Sequence, residues 1–514
     1  MLNRLPIIAV FAALALSPQA RAQEAPAPPG YTPSTITVNA RIVVLDVVVT
    51  DKKGNLIHRE DLKQDDFKVF EDTVPQELRS FESPGKHRMP AYDRPIVTSA
   101  ADLNKIGDAP VTIIVLDELN MTFQNASFSR QMAEKYLKTQ PAVLKQPTVL
   151  MVASNVKFQQ IHDYTQDRDA LIDAVHKHMP EYPWAMMTSG SKGSGAVERM
   201  AQNLSALQQI AQASTGTTGR KNLIWIGNGF PGANFLNLPE DEAETISAAY
   251  KRCVDRLLAA RITMFTINPT PAGTLTANDL LDDNSDEPNP DPLEAGKVSF
   301  ASFATDTGGV AYRGRNDLDN VIGEGIERGR EYYSMSYAPT NKSEVPGAYR
   351  GIKILMKDPN LRAVTRSGYY IDTAAEANPM LDTSMKPKQQ KANLEMDLSS
   401  ALLSTVAYNG LEVKAEKSGD GEYTIHVADK GITWSDPGPN GEQHQEATVA
   451  AGWYDAKGKL IGHVAKELLA PRGANNDGAT FKLPVVLTGA PVRLRIVVRD
   501  AAGARMGTAD ITQF

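Results

Sequence analysis

Few side chains in this 514-residue sequence stand in a pattern that could do chemistry. Gly227-Asn228-Gly229-Phe230-Pro231-Gly232 follows an apolar run and fits the G-x-G-x-x-G spacing that lets backbone approach a dinucleotide pyrophosphate. That chemistry needs a helix N-terminus straight after the loop, whose free N–H groups and dipole receive the anion. Pro231 and the polar stretch to Pro239 delay any helix, so these glycines are expected to shape a turn. Asp282, Asn284 and Asp286 have the spacing of a calcium loop, but Glu287 stands where that loop needs glycine and Leu293 where it needs a bidentate acid. The stretch Asp279–Asp291 therefore reads as a solvated charged loop. The histidines form no His-Glu-x-x-His, and His176-Lys177-His178 reads as an exposed helix end. His162-Asp163 and Ser194 could form a hydrolytic triad only by meeting in space. The sequence has no Cys-x-x-Cys, Walker loop or Gly-x-Ser-x-Gly. A protein that is not an enzyme is the expectation.

The composition sets the frame for those residues. Lys and Arg total 54 and Asp and Glu 61, a formal charge of −7, which gives no general attraction to nucleic acid or anionic lipid. Hydrophobic residues make up 42%, enough for real cores. At about 150 residues per domain the length suggests three. Arg4, the apolar run Leu5–Leu16 and the small-x-small site Ala20-Arg21-Ala22 read as a secretory signal peptide, 1–22, too short in its apolar part to span a bilayer. Its removal takes away two arginines and shifts the charge from −7 to −9. The mature protein is expected to be periplasmic or secreted, with no transmembrane segment. The one cysteine, Cys253, excludes an internal disulfide. It falls in a helical stretch where burial is expected, and it is the one thiol that could link two chains.

Residues 23–35 are a Pro-rich spacer. Residues 36–82 read as a small N-terminal β domain: a β-branched run to Thr50, a turn at Asp51-Lys52-Lys53-Gly54 with a return strand from Asn55, and an alternating strand at Phe67–Glu71. Residues 83–108, punctuated by prolines, read as a linker. From 109 to 371 apolar runs (Val111–Leu116, Thr148–Ala153, Asn222–Gly227, Thr263–Ile267) alternate with helical periods, the pattern of a doubly wound α/β domain. Tyr332–Tyr337 and Gly351–Met356 read as closing strands, a hairpin at the edge of that sheet. Residues 372–394 read as a polar linker. Residues 395–514, with short strands and turns such as Asp455-x-x-Gly458 and Asp500-x-x-Gly503, read as a C-terminal β-sandwich.

Three stretches carry a resemblance. They are Val47–Gly54 with Leu62–Asp72, then Ile113–Asn120, and finally Thr307-Gly308-Gly309 with Tyr332–Pro339 and Arg366–Tyr369. In order and spacing the chain resembles the von Willebrand factor type A (VWFA)-related proteins of acidobacteria. The resemblance implies a Rossmann-like central domain with a ligand site at the carboxyl ends of its strands. It also implies a metal-ion-dependent adhesion site, in which Mg²⁺ is held by Asp-x-Ser-x-Ser, a Thr and a later Asp. This sequence keeps the first position as Asp117. Leu119 and Met121 replace the serines, Asn120 and Thr122 offer oxygens in a shifted register, and Asn228 replaces the later Asp. The implied metal set, Asp117, Asn120, Thr122 and Asn228, is degenerate. The alternative is that Asp117 caps the following loop through backbone N–H groups.

The function expected is an exported protein-binding, adhesion-type module that presents the top of its sheet to a protein partner in the envelope or outside the cell. The alternatives are a structural cell-envelope protein with a lost site and a periplasmic hydrolase.

Overall fold

The computed structural model describes residues 42–119, 121–154, 158–180, 194–230, 233–234, 240–271, 297–340, 348–371 and 387–513. The signal-peptide segment, the Pro-rich spacer, Asn120, the acidic loop Asp279–Asp291 and the first part of the 372–394 linker lie outside the described residues.

The chain opens with β1 (Val43–Asp51), β2 (Phe67–Glu71), β3 (Val74–Gln76) and β4 (Leu78–Glu82). The turn after β1 forms as expected. Gly54 takes φ +83°, and Asp51 Oδ1 accepts from the Lys53 and Asn55 N–H groups. The return strand does not follow, since only Thr50 and Leu56 bridge.

A six-stranded sheet comes next, built from β5 (Val111–Asp117), β6 (Val143–Ala153), β7 (Phe158–Asp167), β8 (Lys221–Ile226), β10 (Ile262–Ile267) and β12 (Ala311–Tyr312). Its order is β12-β10-β8-β5-β6-β7, parallel throughout except for β7 at the edge. Counted within this sheet the order is 3-2-1-4-5-6, which reverses direction between β5 and β8. Two short strands, β9 (Ala233–Asn234) and β11 (Lys297–Val298), pair with each other outside it. The unbroken apolar run of β5 has a packing cause. Val111, Ile113 and Val115 face one core with α3 (Ser194–Ala213) and α4 (Glu240–Ala259). Ile114 and Leu116 face another with α1 (Phe123–Thr139), α2 (Arg168–Lys177) and α6 (Leu318–Arg330). The short α5 (Ser302–Asp306) leads into β12. Cys253 is buried on α4, and burial pushes its thiol up to about 12, so in this chain it is a packing residue. β7 was not legible: His162 and Asp163 lie inside this half-buried strand, whose Gln, His and Asp side chains suit a sheet edge.

The closing strands differ from the expected hairpin. β13 (Tyr333–Tyr337), β14 (Tyr349–Met356), β15 (Leu361–Val364) and β16 (Gly368–Tyr370) leave the six-stranded sheet and return to the first strands. They form two antiparallel sheets, β15-β1-β13-β4 and β16-β14-β2-β3. The registers Val43↔Tyr337 and Val69↔Ile354 bring Leu45, Val47, Phe67, Tyr333 and Met335 into one core. The reason is apolar burial. The inward face of β1 has no cover within 43–82 large enough to exclude water, and the tyrosines of β13 supply it. Segments 43–82 and 333–370 thus share one two-sheet unit, and the α/β segment lies between them in the chain. Residues 83–108 are packed as well, with Val97 and Leu103 in the α/β core.

A helix, α7 (Pro387–Leu403), starts inside the stretch read as a linker, with proline at its tolerant first position. Leu398, Ala401 and Leu402 join the α/β core. The remaining strands form two sheets. One is β17 (Val413–Gly419), β18 (Glu422–Val427) and β21 (Ala479–Pro484). The other is β20 (Leu460–Pro471), β19 (His444–Tyr454), β22 (Arg493–Asp500) and β23 (Met506–Ile511). Both enclose a core of Ile425, Val449, Trp453, Phe481 and Ile496. Ala450 and Val497 face the other way, into the α/β core, so β19 and β22 are buried on both faces. Asp397 on α7 lies 3.5 Å from Arg256 of α4 and 3.7 Å from Arg499 of β22, all three buried. Among the described residues no helix is long and apolar enough to cross a membrane.

Candidate functional site

In an open α/β sheet, ligands meet the carboxyl ends of the strands where the strand order reverses, because the loops on either side diverge and leave a crevice. In this sheet that point lies between the ends of β5 and β8, at Asp117 and Gly227-Asn228-Gly229.

Asp117 is fully buried, and both its oxygens are engaged. Oδ1 accepts from the Leu119 N–H at 2.9 Å. Oδ2 accepts from the Trp225 indole N–H at 3.0 Å and the Gly229 N–H at 2.9 Å. Burial lifts its pKa from 3.8 to about 6, opposed by the Trp225, Leu119 and Gly229 donors. It is therefore a carboxylate at neutral pH that ties the loop after β5 to the loop after β8.

The glycines are explained by this contact. Gly227 has φ +155°, and a Cβ there would come within 2.4 Å of Asp117 Cβ. Gly229 has φ +60°, and a Cβ there would lie 2.0 Å from Phe300 Cγ. The G-x-G pair permits close packing of two loops and an aromatic ring.

Leu119 and Met121 are buried apolar residues, each 1% exposed. Thr122 is exposed and caps α1, its hydroxyl accepting the Asn125 N–H at 3.2 Å. Asn228 is half-buried on the β8 loop. Of the implied metal set, Asp117 bonds the Gly229 N–H next to Asn228 in the chain, Thr122 stands at the start of α1, and Asn120 lies outside the described residues. The three described members do not suit a hard cation. Mg²⁺ needs exchangeable oxygens around it, whereas Asp117 gives both of its oxygens to N–H donors and apolar side chains fill the hydroxyl positions.

Residues missed by sequence reasoning complete the crown. Glu118 is buried, and His178 Nε2 lies 2.7 Å from its Oε1, while Arg130 Nη1 donates to the His178 carbonyl at 2.6 Å. His178 is thus turned inward, and of the expected exposed pair only His176 faces solvent. Asn125 Nδ2 reaches Thr270 Oγ1 at 3.5 Å, linking α1 to the loop after β10. Phe123, the first residue of α1, is 52% exposed. His162 Nδ1 lies 2.7 Å from the Asp163 carbonyl, and the Ser194 side chain lies outside the described residues.

No family model matches the chain, and no curated protein matches it. Solved structures do. Proximal thread matrix protein 1 from the mussel byssus is 11% identical, over 32% of this chain and 38% of its own, at a TM-score of 0.20. The chain therefore spans well under half of that protein's length. The SpRpn10 VWA domain is 14% identical over 34% of this chain and 95% of its own, at 0.17. The pilus adhesin SpaC from Lactobacillus rhamnosus GG is 10% identical over 78% of this chain and 53% of its own, at 0.24. At such scores none of them assigns a role to this chain. The fold stands on its own strand order, a mixed α/β protein with one largely parallel sheet between antiparallel ones.

Proposed function

We propose that this chain is an exported, non-enzymatic protein-binding module of the von Willebrand factor A-like kind, and that its contact surface is the crown over β5 and β8. The observation that carries the reading is the Asp117 latch. At the switch point, where this architecture receives ligands, a buried carboxylate holds two loops in place, and Thr122 and Phe123 are exposed where α1 begins after the first of them. A half-exposed aromatic on a rigid helix end is the type of residue that anchors a protein interface.

In this reading the site works without Mg²⁺, because the latch does with N–H donors what a cation does with carboxylates in the adhesive relatives of the resemblance. Mg²⁺ or Ca²⁺ at millimolar levels is expected to leave the melting temperature unchanged. A rise of several degrees that Asp117→Asn removes would show that the crown holds an ion after all. Capture from native cells with wild-type protein and with Phe123→Ala tests the surface itself. Loss of a discrete partner in the variant supports the reading, and identical captures favour the structural envelope protein. That second reading draws on the same inward-facing Asp117, since a carboxylate engaged inside the fold is also what a lost site leaves behind.

A further inference from the structure

At the opposite end of the six-stranded sheet, His87 is 2% exposed, and neither ring nitrogen has a hydrogen-bond partner. Its ring lies flat on Tyr332, with centroids 4.7 Å apart at 11°. The ring edges face two carboxylates: Nε2 is 3.5 Å from Glu82 Oε2, and Nδ1 is 3.5 Å from Asp108 Oδ2. Glu82 ends β4 and Asp108 precedes β5, so the cluster joins the first β unit to the α/β sheet. A buried imidazole with both nitrogens unsatisfied is unfavourable unless something else meets them. The two carboxylates are half exposed, at 52% and 55%, which gives a path from solvent.

We propose that Glu82, His87 and Asp108 bind a divalent metal ion of borderline softness, Zn²⁺ first. One ligand atom from each residue lies within 4.8 Å of the others. The 3.5 Å between Nε2 and Glu82 Oε2 is near the edge of about 3.3 Å that a tetrahedron has when its metal–ligand bonds are about 2.0–2.1 Å, and Asp108, which lies 3.5 Å from the other ring nitrogen, must turn its half-exposed carboxylate toward the same ion. One imidazole and two carboxylates suit Zn²⁺ and leave a fourth position to water, whereas Mg²⁺ and Ca²⁺ favour all-oxygen sets. Among the described residues neither Glu82 nor Asp108 forms a salt bridge with a lysine or arginine, and Arg261, which acts on Asp108 only at longer range, bonds Asp46 at 2.7 Å. A second His/Glu cluster, His58, Glu327 and Glu331, differs on this point. Arg88 takes both Glu331 oxygens at 3.0 and 2.6 Å, and Arg330 pairs with Glu327, so arginines already neutralise it. The bound ion would staple the two units together at their seam.

The test uses the full chain. Calorimetric titration with Zn²⁺, and the absorption bands of Co²⁺ as a probe, should give one ion per chain. Glu82→Gln and Asp108→Asn change exposed carboxylates with little change of shape, so their metal-free melting temperatures should match wild type. Each should weaken Zn²⁺ at least tenfold, and the double variant should lose the metal-induced rise in melting temperature. His87→Gln should abolish one-to-one binding. The proposal is overturned if wild type binds no ion stoichiometrically or the double variant binds as tightly. It is overturned equally if the cluster responds to pH alone, with no thermal shift from the metal.

Discussion

Asp117 shows how one buried side chain can tie two loops together. Its three donors come from Leu119, Trp225 and Gly229, the last two more than a hundred positions away. The sequence marked Asp117 by its place at the end of an apolar run, and the alternative of a backbone cap was close to what the structure shows. The partners were not legible, because a carboxylate–indole contact between neighbouring strands leaves no spacing signal. The same holds for Glu118 and His178. Two predictions belong at this scale. The folded pKa of Asp117 is raised from 3.8 to about 6. The folded state therefore holds more protons than the unfolded chain between about pH 4 and 6. The stabilisation is full below the unfolded pKa and lost as pH rises through about 6. In Asp117→Asn this dependence should vanish. The wild-type-minus-variant stability, from urea unfolding, should fall by on the order of 2 kcal/mol between pH 4 and 7. An unchanged difference would mean that Asp117 is not protonated in that range. Gly227→Ala, which places a Cβ 2.4 Å from Asp117 Cβ at φ +155°, should lower the unfolding free energy by roughly 3 kcal/mol or more.

Elements were the most legible level. The four apolar runs coincide with β5, β6, β8 and β10, with helices between them as the alternation predicts. Two failures have physical causes. β7 sits at a sheet edge, where half-buried polar residues blur the alternation a strand should show. α7 was hidden by its polar opening, Pro387-Lys388-Gln389-Gln390-Lys391, and is held by the core contacts of Leu398, Ala401 and Leu402. The repeated Asp-x-x-Gly turns are alike only in part. Gly54 and Gly458 take positive φ, whereas at Asp500 the positive φ moves to Ala504. The start of α1 matters most for the crown, since its cap fixes Phe123. Thr122→Ala should cost about 1 kcal/mol of stability, measured by chemical denaturation, with a smaller loss contradicting the cap.

For the whole molecule the linear order of domains was misleading. Strand pairing between 43–82 and 333–370 spans almost 300 positions, and a pairing that distant is invisible to local periodicity. A chain cut to residues 109–371 would expose Tyr333, Met335 and Tyr337 along unpaired strands. It should aggregate on expression, and a soluble, sharply melting fragment would contradict the shared unit. These long-range ties make the three regions one framework behind the crown. The most direct test of that crown is a photo-crosslinking residue placed at position 123 in native cells, with the same residue at exposed Leu469 as control. The account predicts a discrete crosslinked protein from position 123 that is absent from position 469. The same products from both positions, or none from position 123, would contradict it.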